Sequence, residues 1–178
     1  MTLTEDQTAT LSTIIQDAAI YNHWANETLV NWLKTKSPKQ LEQHVASSFP
    51  GIRATLIHIW DTERFWLSVL KKQPAPPSFR KVGFDGTLAE VMEGITSLSQ
   101  EFTEYVASLW DTDLTEKVYF TTPWKEGTQA RFEFIYHTFN HSTYHRGQII
   151  TIGRQLGFTD APMTDYNFYL LEVKPAYV

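Results

Sequence analysis

The residues in this chain with the most chemistry to offer are its six histidines, His23, His44, His58, His137, His141 and His145. Three of them, His137, His141 and His145, recur every four residues. Four residues advance an α-helix by about 400°, so consecutive members sit within about 40° of each other on one face, with Cβ atoms about 6 Å apart. Two imidazoles at that spacing can converge on one divalent ion through bonds of about 2.0–2.1 Å. All three cannot easily do so from one straight helix, because His137 and His145 are separated by about 12 Å of axial rise. A further ligand must come from another element. His58, in the apolar stretch Leu56-Ile57-His58-Ile59-Trp60, is the best placed, since metal sites of helical bundles are built from facing helices. On spacing alone, the competing reading is a set of hydrogen-bonded core histidines. Ser142 follows His141 where an H-E-x-x-H motif needs glutamate, so a zincin-type protease has no support.

These residues need helices to hold them, and the sequence supplies four long ones. Apolar residues recur at helical spacing from about Thr10 to Lys34, with no Gly or Pro between, which predicts an amphipathic helix. Ser37 and Pro38 stop it and open a turn or short helix containing Leu41 and Val45; Phe49-Pro50-Gly51 is a second break. A second long helix is predicted over about Ile52 to Lys71, ending before Pro74-Ala75-Pro76-Pro77. The stretch from Pro74 to Gly86 reads as an irregular connection. Thr87 with Glu90 three residues on is a capping-box pattern, and a third helix follows to about Leu109, weakened locally by Gly94. Val118-Tyr119-Phe120-Thr121 is β-prone and Pro123-Trp124-Lys125-Glu126-Gly127 reads as a turn, so a small hairpin is predicted. The fourth long helix runs from about Arg131 to Leu156, with Gly157 as its C-cap. Tyr166, Phe168, Tyr169, Leu170 and Leu171 predict a short final helix packed on the bundle.

Composition narrows the class. The chain has 178 residues, 42% hydrophobic and 14% aromatic, enough bulk for one folded domain over 1–178. The absence of cysteine excludes disulfides, thiolate ligands and cysteine nucleophiles from within the chain. A net charge of -5 without a basic cluster disfavours nucleic acid as the main partner. No stretch approaches the roughly 20 apolar residues of a membrane span. An N-terminal MTLTEDQTAT with acids where a signal peptide needs bases leads to the expectation of a soluble, cytoplasmic protein.

The string Asn140-His141-Ser142-Thr143-Tyr144-His145-Arg146-Gly147-Gln148 resembles the N-H-x-x-x-H-R-G-Q signature of the DinB/YfiT-like superfamily. Tyr21-Asn22-His23-Trp24-Ala25-Asn26 is similar to that family's first-helix motif, and His58 with Glu63 and Trp66 to its H-x4-E-x-x-W pattern. The resemblance covers about Asp17 to Tyr169. It implies an all-α fold, an antiparallel four-helix bundle with a long crossover, commonly dimeric, so that a homodimer is expected. It also implies one divalent ion on His58, His141 and His145, the trio that geometry favours. Tyr144 departs from the histidine that many relatives carry there, at a position that should face away from the ligands.

Three neutral imidazoles would leave an ion its full charge and an open position, a catalytic rather than structural pattern. Such an ion could lower the pKa of a coordinated water or hold an incoming thiol as thiolate. Relatives include enzymes that use low-molecular-weight thiols, so the expected function is transfer of such a thiol cosubstrate to an electrophilic small-molecule substrate. A metal-dependent hydrolase and a non-catalytic metal-binding or sensing bundle are the alternatives. Zn²⁺ is the first expectation and Ni²⁺ the next. Gln148, Asn140 and Glu63 are candidates to orient the ligands from behind. His137, Tyr21 and Trp24 are candidates to wall the pocket. Arg146 is expected to be an ion-pair partner across the bundle, and His23 and His44 to be structural or on the surface.

Overall fold

The computed structural model describes residues 9–122 and 125–174. In chain order they form α1 (Leu11–Lys34), α2 (Pro38–Leu41), α3 (Ile52–Leu70), α4 (Phe79–Val82), α5 (Leu88–Ala107), α6 (Asp111–Thr115), the strands β1 (Lys117–Thr122) and β2 (Lys125–Ala130), α7 (Arg131–Gln155) and α8 (Tyr166–Phe168), the last continued by a π-helical turn over Tyr169–Val173. The long helices begin and end where local chemistry demands. Thr10 caps α1 by accepting from the Thr13 amide. Thr87 and Glu90 form the predicted reciprocal box at α5, with Glu90 Oε2 accepting from the Thr87 amide at 2.6 Å and Thr87 Oγ1 from the Glu90 amide at 3.2 Å. Gly157 stops α7 at φ +87°, where the Phe158 amide reaches back to the Gly153 carbonyl at 2.9 Å; a glycine takes that left-handed conformation without a Cβ penalty.

Helices α1, α3, α5 and α7 make a four-helix bundle in which α1 packs on α5 and α7, and α3 on the same two. Tertiary contacts fix the directions. Ala19 meets Thr103 and His23 meets Ser99, so α1 and α5 are antiparallel. The Leu70 carbonyl, at the end of α3, accepts from Arg131 at the start of α7, so that pair is antiparallel too. The connection from residue 71 to 87 is the long crossover, and it lets α3 and α5 run the same way. Asp61 pins it to α3 by accepting from Ser78 Oγ at 2.6 Å and from the Phe79 amide at 3.1 Å.

The hairpin precedes α7 as the β-prone run predicts, with Lys117 paired to Ala130 and Thr122 to Lys125. Its turn is shorter than the sequence suggests. Lys125, Glu126 and Gly127 belong to β2, because Thr122 Oγ1 closes the connection by donating to the Lys125 carbonyl at 2.8 Å and accepting from its amide at 3.0 Å. Pro123 and Trp124 lie outside the described residues.

The interior is layered. One apolar cluster holds Leu29, Leu33, Leu56, Ile59, Ile95, Ile149 and Ile152. The other holds Ile15, Ala19, Leu67, Leu70, Phe102, Ile135 and Phe139. Between them every long helix contributes buried polar residues: Asn22 and Asn26, Glu63, Ser99, then Ser142 and Arg146. Near the first cluster, Gly94 in mid-α5 is explained by close approach, since a Cβ there would fall 2.2 Å from the Trp60 ring. Gly94→Ala is therefore expected to destabilise the fold despite alanine's better helix propensity. The overpacking cost of about 1–3 kcal/mol exceeds the roughly 1 kcal/mol of propensity gained. A fall in urea midpoint with unchanged m-value would show it.

Candidate metal centre

Helix α3 carries His58 and helix α7 carries His141 and His145 on facing surfaces. The three Nε2 atoms converge, with His58 to His141, His58 to His145 and His141 to His145 each at 3.1 Å. This is the geometry of a group that could hold a metal ion. An equilateral set of nitrogens at that spacing would suit a divalent ion bonded at about 2.0–2.1 Å. The protonation pattern fits as well. His145 Nδ1 donates to Gln148 Oε1 at 2.7 Å, so the neutral ring turns its Nε2 lone pair into the triangle. His141 Nδ1 is buried with no hydrogen-bond partner among the described residues.

The imidazoles are held neutral. Burial, seconded by the charge of His145, lowers His58 to about 4. Burial, with His145 and His58 next, lowers His141 to about 3. Burial also lowers His145, against the hydrogen bond it donates to Gln148. Folded pKa values below the unfolded value of about 6.5 mean that these rings favour folding above pH 6.5. That contribution is lost as pH falls through the folded values. Chelator-treated protein is therefore expected to lose thermal stability progressively from about pH 6.5 towards pH 4. His141→Gln, with one ring fewer to protonate, should give a shallower dependence in differential scanning fluorimetry.

Around the three rings the environment is uneven. Phe49, in the segment between α2 and α3, stacks on His58 with centroids 4.1 Å apart and meets His145 edge-on at 5.6 Å. Gln148, having accepted from His145, donates through Nε2 to Ser48 Oγ at 3.1 Å. His137 lies one turn before His141, exposed, with centroids 6.0 Å apart, and rests edge-on against Trp66 at 5.2 Å. It sits beside the cluster without joining it.

Behind the histidines lies the polar layer. Glu63, fully buried, accepts through Oε1 from Asn22 Nδ2 at 3.0 Å, Asn26 Nδ2 at 3.2 Å and Ser142 Oγ at 2.8 Å. Arg146, 1% exposed, donates through Nη1 to the Oδ1 atoms of Asn22 and Asn26, both at 2.8 Å, and through Nη2 to Thr143 Oγ1 at 2.7 Å. Each asparagine thus bridges the buried acid and the buried base. Burial pushes the Glu63 carboxyl up, opposed by the hydrogen bonds of Asn22, Ser142 and Asn26 and by the Arg146 charge.

Other expected site residues belong elsewhere. Tyr21 and Trp24, expected to wall the metal pocket, face the C-terminal segment. Tyr21 Oη donates to the Thr164 carbonyl at 2.8 Å, and Trp24 packs on Tyr169 with centroids 5.6 Å apart. The reason is helical phase, for these residues lie on the flank of α1 that the tail covers. Asn140, expected to orient a ligand, is exposed and faces a groove of about 820 Å³ between α1, α7 and the tail. That groove touches none of the three histidines. Glu63 bonds to Ser142 rather than to a ligand imidazole. Arg146, expected to be an ion-pair partner across the bundle, reaches the acid Glu63 through the amides of Asn22 and Asn26 rather than directly. His23 Nδ1 pairs with Ser99 Oγ at 2.9 Å, and His44 is exposed, both away from the cluster.

Sequence reasoning missed Phe49 and Ser48, which carry no local signal, and the roles of Asn22 and Asn26. Those two amides lie four residues apart on an otherwise apolar helix face, which is the pattern that could have marked them.

A helical bundle with three imidazoles from two facing helices converging between them defines a class of potential metal-binding four-helix proteins. Residues 8–173 match the model of the DinB family, and the chain belongs to that family. It is 30% identical over 159 residues to Protein DinB of Bacillus subtilis (strain 168), covering 86% of this chain and 92% of the relative. A crystal structure of a DinB-like protein from Bacillus cereus superposes with a TM-score of 0.64 at 21% identity, covering 81% of this chain and 91% of that one. YfiT from Bacillus subtilis, described as a probable metal-dependent hydrolase with an unusual four-helix bundle topology, superposes with a TM-score of 0.65 at 10% identity, covering 88% and 95%. Among the described residues no helix is long and apolar enough to cross a membrane.

Proposed function

We propose that this chain binds one divalent ion through His58, His141 and His145 and is a metal-dependent enzyme that transfers a low-molecular-weight thiol to an electrophilic small molecule. The observation that carries the reading is the convergence of three Nε2 atoms at 3.1 Å with no carboxylate among them. A divalent ion held there supplies Lewis-acid chemistry, lowering the pKa of a coordinated thiol or water. The neutral imidazoles leave the charge of the ion uncompensated, and Gln148 keeps His145 in the tautomer that presents Nε2.

The acids on the neighbouring stretch of α3 have hydrogen-bonding partners of their own. Asp61 serves Ser78, the Phe79 amide and Arg64, and Glu63 serves Asn22, Asn26 and Ser142. With no carboxylate in the converging group among the described residues, the nucleophile that ionises more readily is favoured. A thiol, with a free pKa of about 8.5, needs far less help than water at about 15.7. The chain contains no cysteine, so the thiol comes as a cosubstrate. Three imidazoles suit Zn²⁺ first and Ni²⁺ next.

The likeness to YfiT favours a second reading, a metal-dependent hydrolase. One experiment separates the two: untagged protein, loaded with Zn²⁺ or Ni²⁺, is assayed against a model electrophile across a series of thiol concentrations. Turnover that rises with thiol supports transfer, and turnover indifferent to thiol supports hydrolysis. No turnover by fully metallated protein with any thiol or without one leaves a non-catalytic metal-binding or sensing bundle. A homodimer is part of the proposal, and exposed Ile14, Tyr136 and Met163 beside the groove offer apolar surface for it. Light scattering on a sizing column tests that assembly.

A further inference from the structure

The segment between α2 and α3 has no regular structure from His44 to Pro50, yet its base is closed. Gly51 turns at φ +105° so tightly against the start of the segment that a Cβ there would lie 2.6 Å from the Gln43 carbonyl oxygen. Arg53 adds an ion pair to Glu42 at 3.2 Å. A short excursion with its ends held together is a compact surface loop whose tip is placed by its base.

Inside the excursion Val45 packs on the apolar core, and two further fastenings fall on the histidine cluster. Phe49 lies flat on the His58 ring, 4.1 Å between centroids and 23° between planes. Ser48 accepts from Gln148 Nε2 at 3.1 Å, and the other end of that same amide accepts from His145 Nδ1 at 2.7 Å. Two of the three imidazoles are thus gripped by consecutive residues of one loop, His58 on its ring face and His145 through Nδ1. No family signature read from the sequence includes either residue.

We infer that the 42–51 loop is a clasp for the metal centre. Phe49 on His58, and Ser48 through Gln148 on His145, hold those rings in the orientation that brings their Nε2 atoms together. This rests on the metal reading of the preceding subsection. Coupling between loop and ion is reciprocal: whatever steadies the rings steadies the loop, and loosening the loop weakens the ion. Phe49 and Ser48 are positioning residues, because they act through His58, Gln148 and His145.

The test uses the untagged full chain with Zn²⁺ as the probe. Zn²⁺ affinity is measured by chelator competition, and hydrogen exchange of the 42–51 peptide is measured with and without Zn²⁺, for wild type, Phe49→Ala, Phe49→Leu and Ser48→Ala. The expected result is slower exchange of 42–51 in wild type on Zn²⁺ addition. Phe49→Ala should lose about 2- to 10-fold in affinity, the worth of one ring stack, and with it the Zn²⁺-dependent protection. Phe49→Leu keeps apolar bulk without the stack and should fall between. Ser48→Ala should lose less than the roughly 10- to 100-fold typical of removing a group bonded directly to a ligand, since Gln148 remains. Wild-type affinity in Phe49→Ala, with loop exchange indifferent to Zn²⁺ in every form, overturns the clasp and leaves the metal centre standing. Wild type that takes up no Zn²⁺ overturns both, so the two failures are distinct.

Discussion

His141→Ala is expected to lower Zn²⁺ affinity by at least about 100-fold while leaving the helical circular dichroism signal intact. Zinc sites of four protein ligands are worth roughly 10–16 kcal/mol in all, so one ligand corresponds to about 3 kcal/mol, two decades in binding. His141 isolates that effect better than its partners do. His145 also engages Gln148, and His58 supports Phe49. His141 Nδ1, by contrast, has no partner among the described residues, so losing the ring removes a ligand and breaks no hydrogen bond of the scaffold. Burial, with His145, His58 and His137 after it, already holds this imidazole down to about 3, in the neutral form a ligand needs. Chelator competition on the variant, alongside its thermal melt, reads the two quantities separately. A collapsed fold would mean that the ring serves structure, and unchanged affinity would remove His141 from the ligand set.

The largest expected change in stability lies behind the site. Arg146→Ala should cost about 3–5 kcal/mol, because it leaves the fully buried Glu63 and two buried amide oxygens without their cation. Nη1 alone satisfies both Asn22 and Asn26, while Nη2 holds Thr143. Arg146→Lys should rescue little of this, since an ammonium lacks the planar fork that reaches three oxygens at once. Glu63→Gln should be milder, because its remaining carbonyl can still accept from Asn22, Asn26 and Ser142. The paired change Glu63→Leu with Arg146→Met should cost less than the two single changes summed, as expected when a buried polar pair is replaced whole. Urea denaturation of these variants, with Glu63→Leu and Arg146→Met also made singly, checks the series. Additive losses would show that the asparagines do not couple acid to base.

This network also explains why the family's sequence motifs hold more polar residues than a metal centre requires. Asn22 and Asn26, Glu63, and Arg146 with Ser142 and Thr143 belong to the three motif segments of α1, α3 and α7, yet none of them is a ligand. They form one polar layer between two apolar clusters. Three helices whose polar residues must meet at one level are fixed in register, since a one-turn slide would bury each group against hydrocarbon. That register is what brings His58 level with His141 and His145.

Much of this was local and so readable from the chain alone. The four long helices follow from apolar periodicity. Their ends follow from Thr87 with Glu90 and from Gly157, because capping bonds span only three or four residues. His141 and His145 on one face follow from the helical repeat, and the absence of cysteine decides that any thiol comes from outside. What only the tertiary structure decided depends on contacts between residues far apart in sequence. The 3.1 Å convergence of His58 on α7 is one such contact, and so is the amide bridge from Asn22 and Asn26 to Arg146. The placement of Tyr21 and Trp24 under the tail, rather than beside the histidines, is another. Phe49 shows the difference most clearly: a phenylalanine before proline and glycine reads only as the end of a loop, and it becomes part of the site because the fold sets that loop over His58.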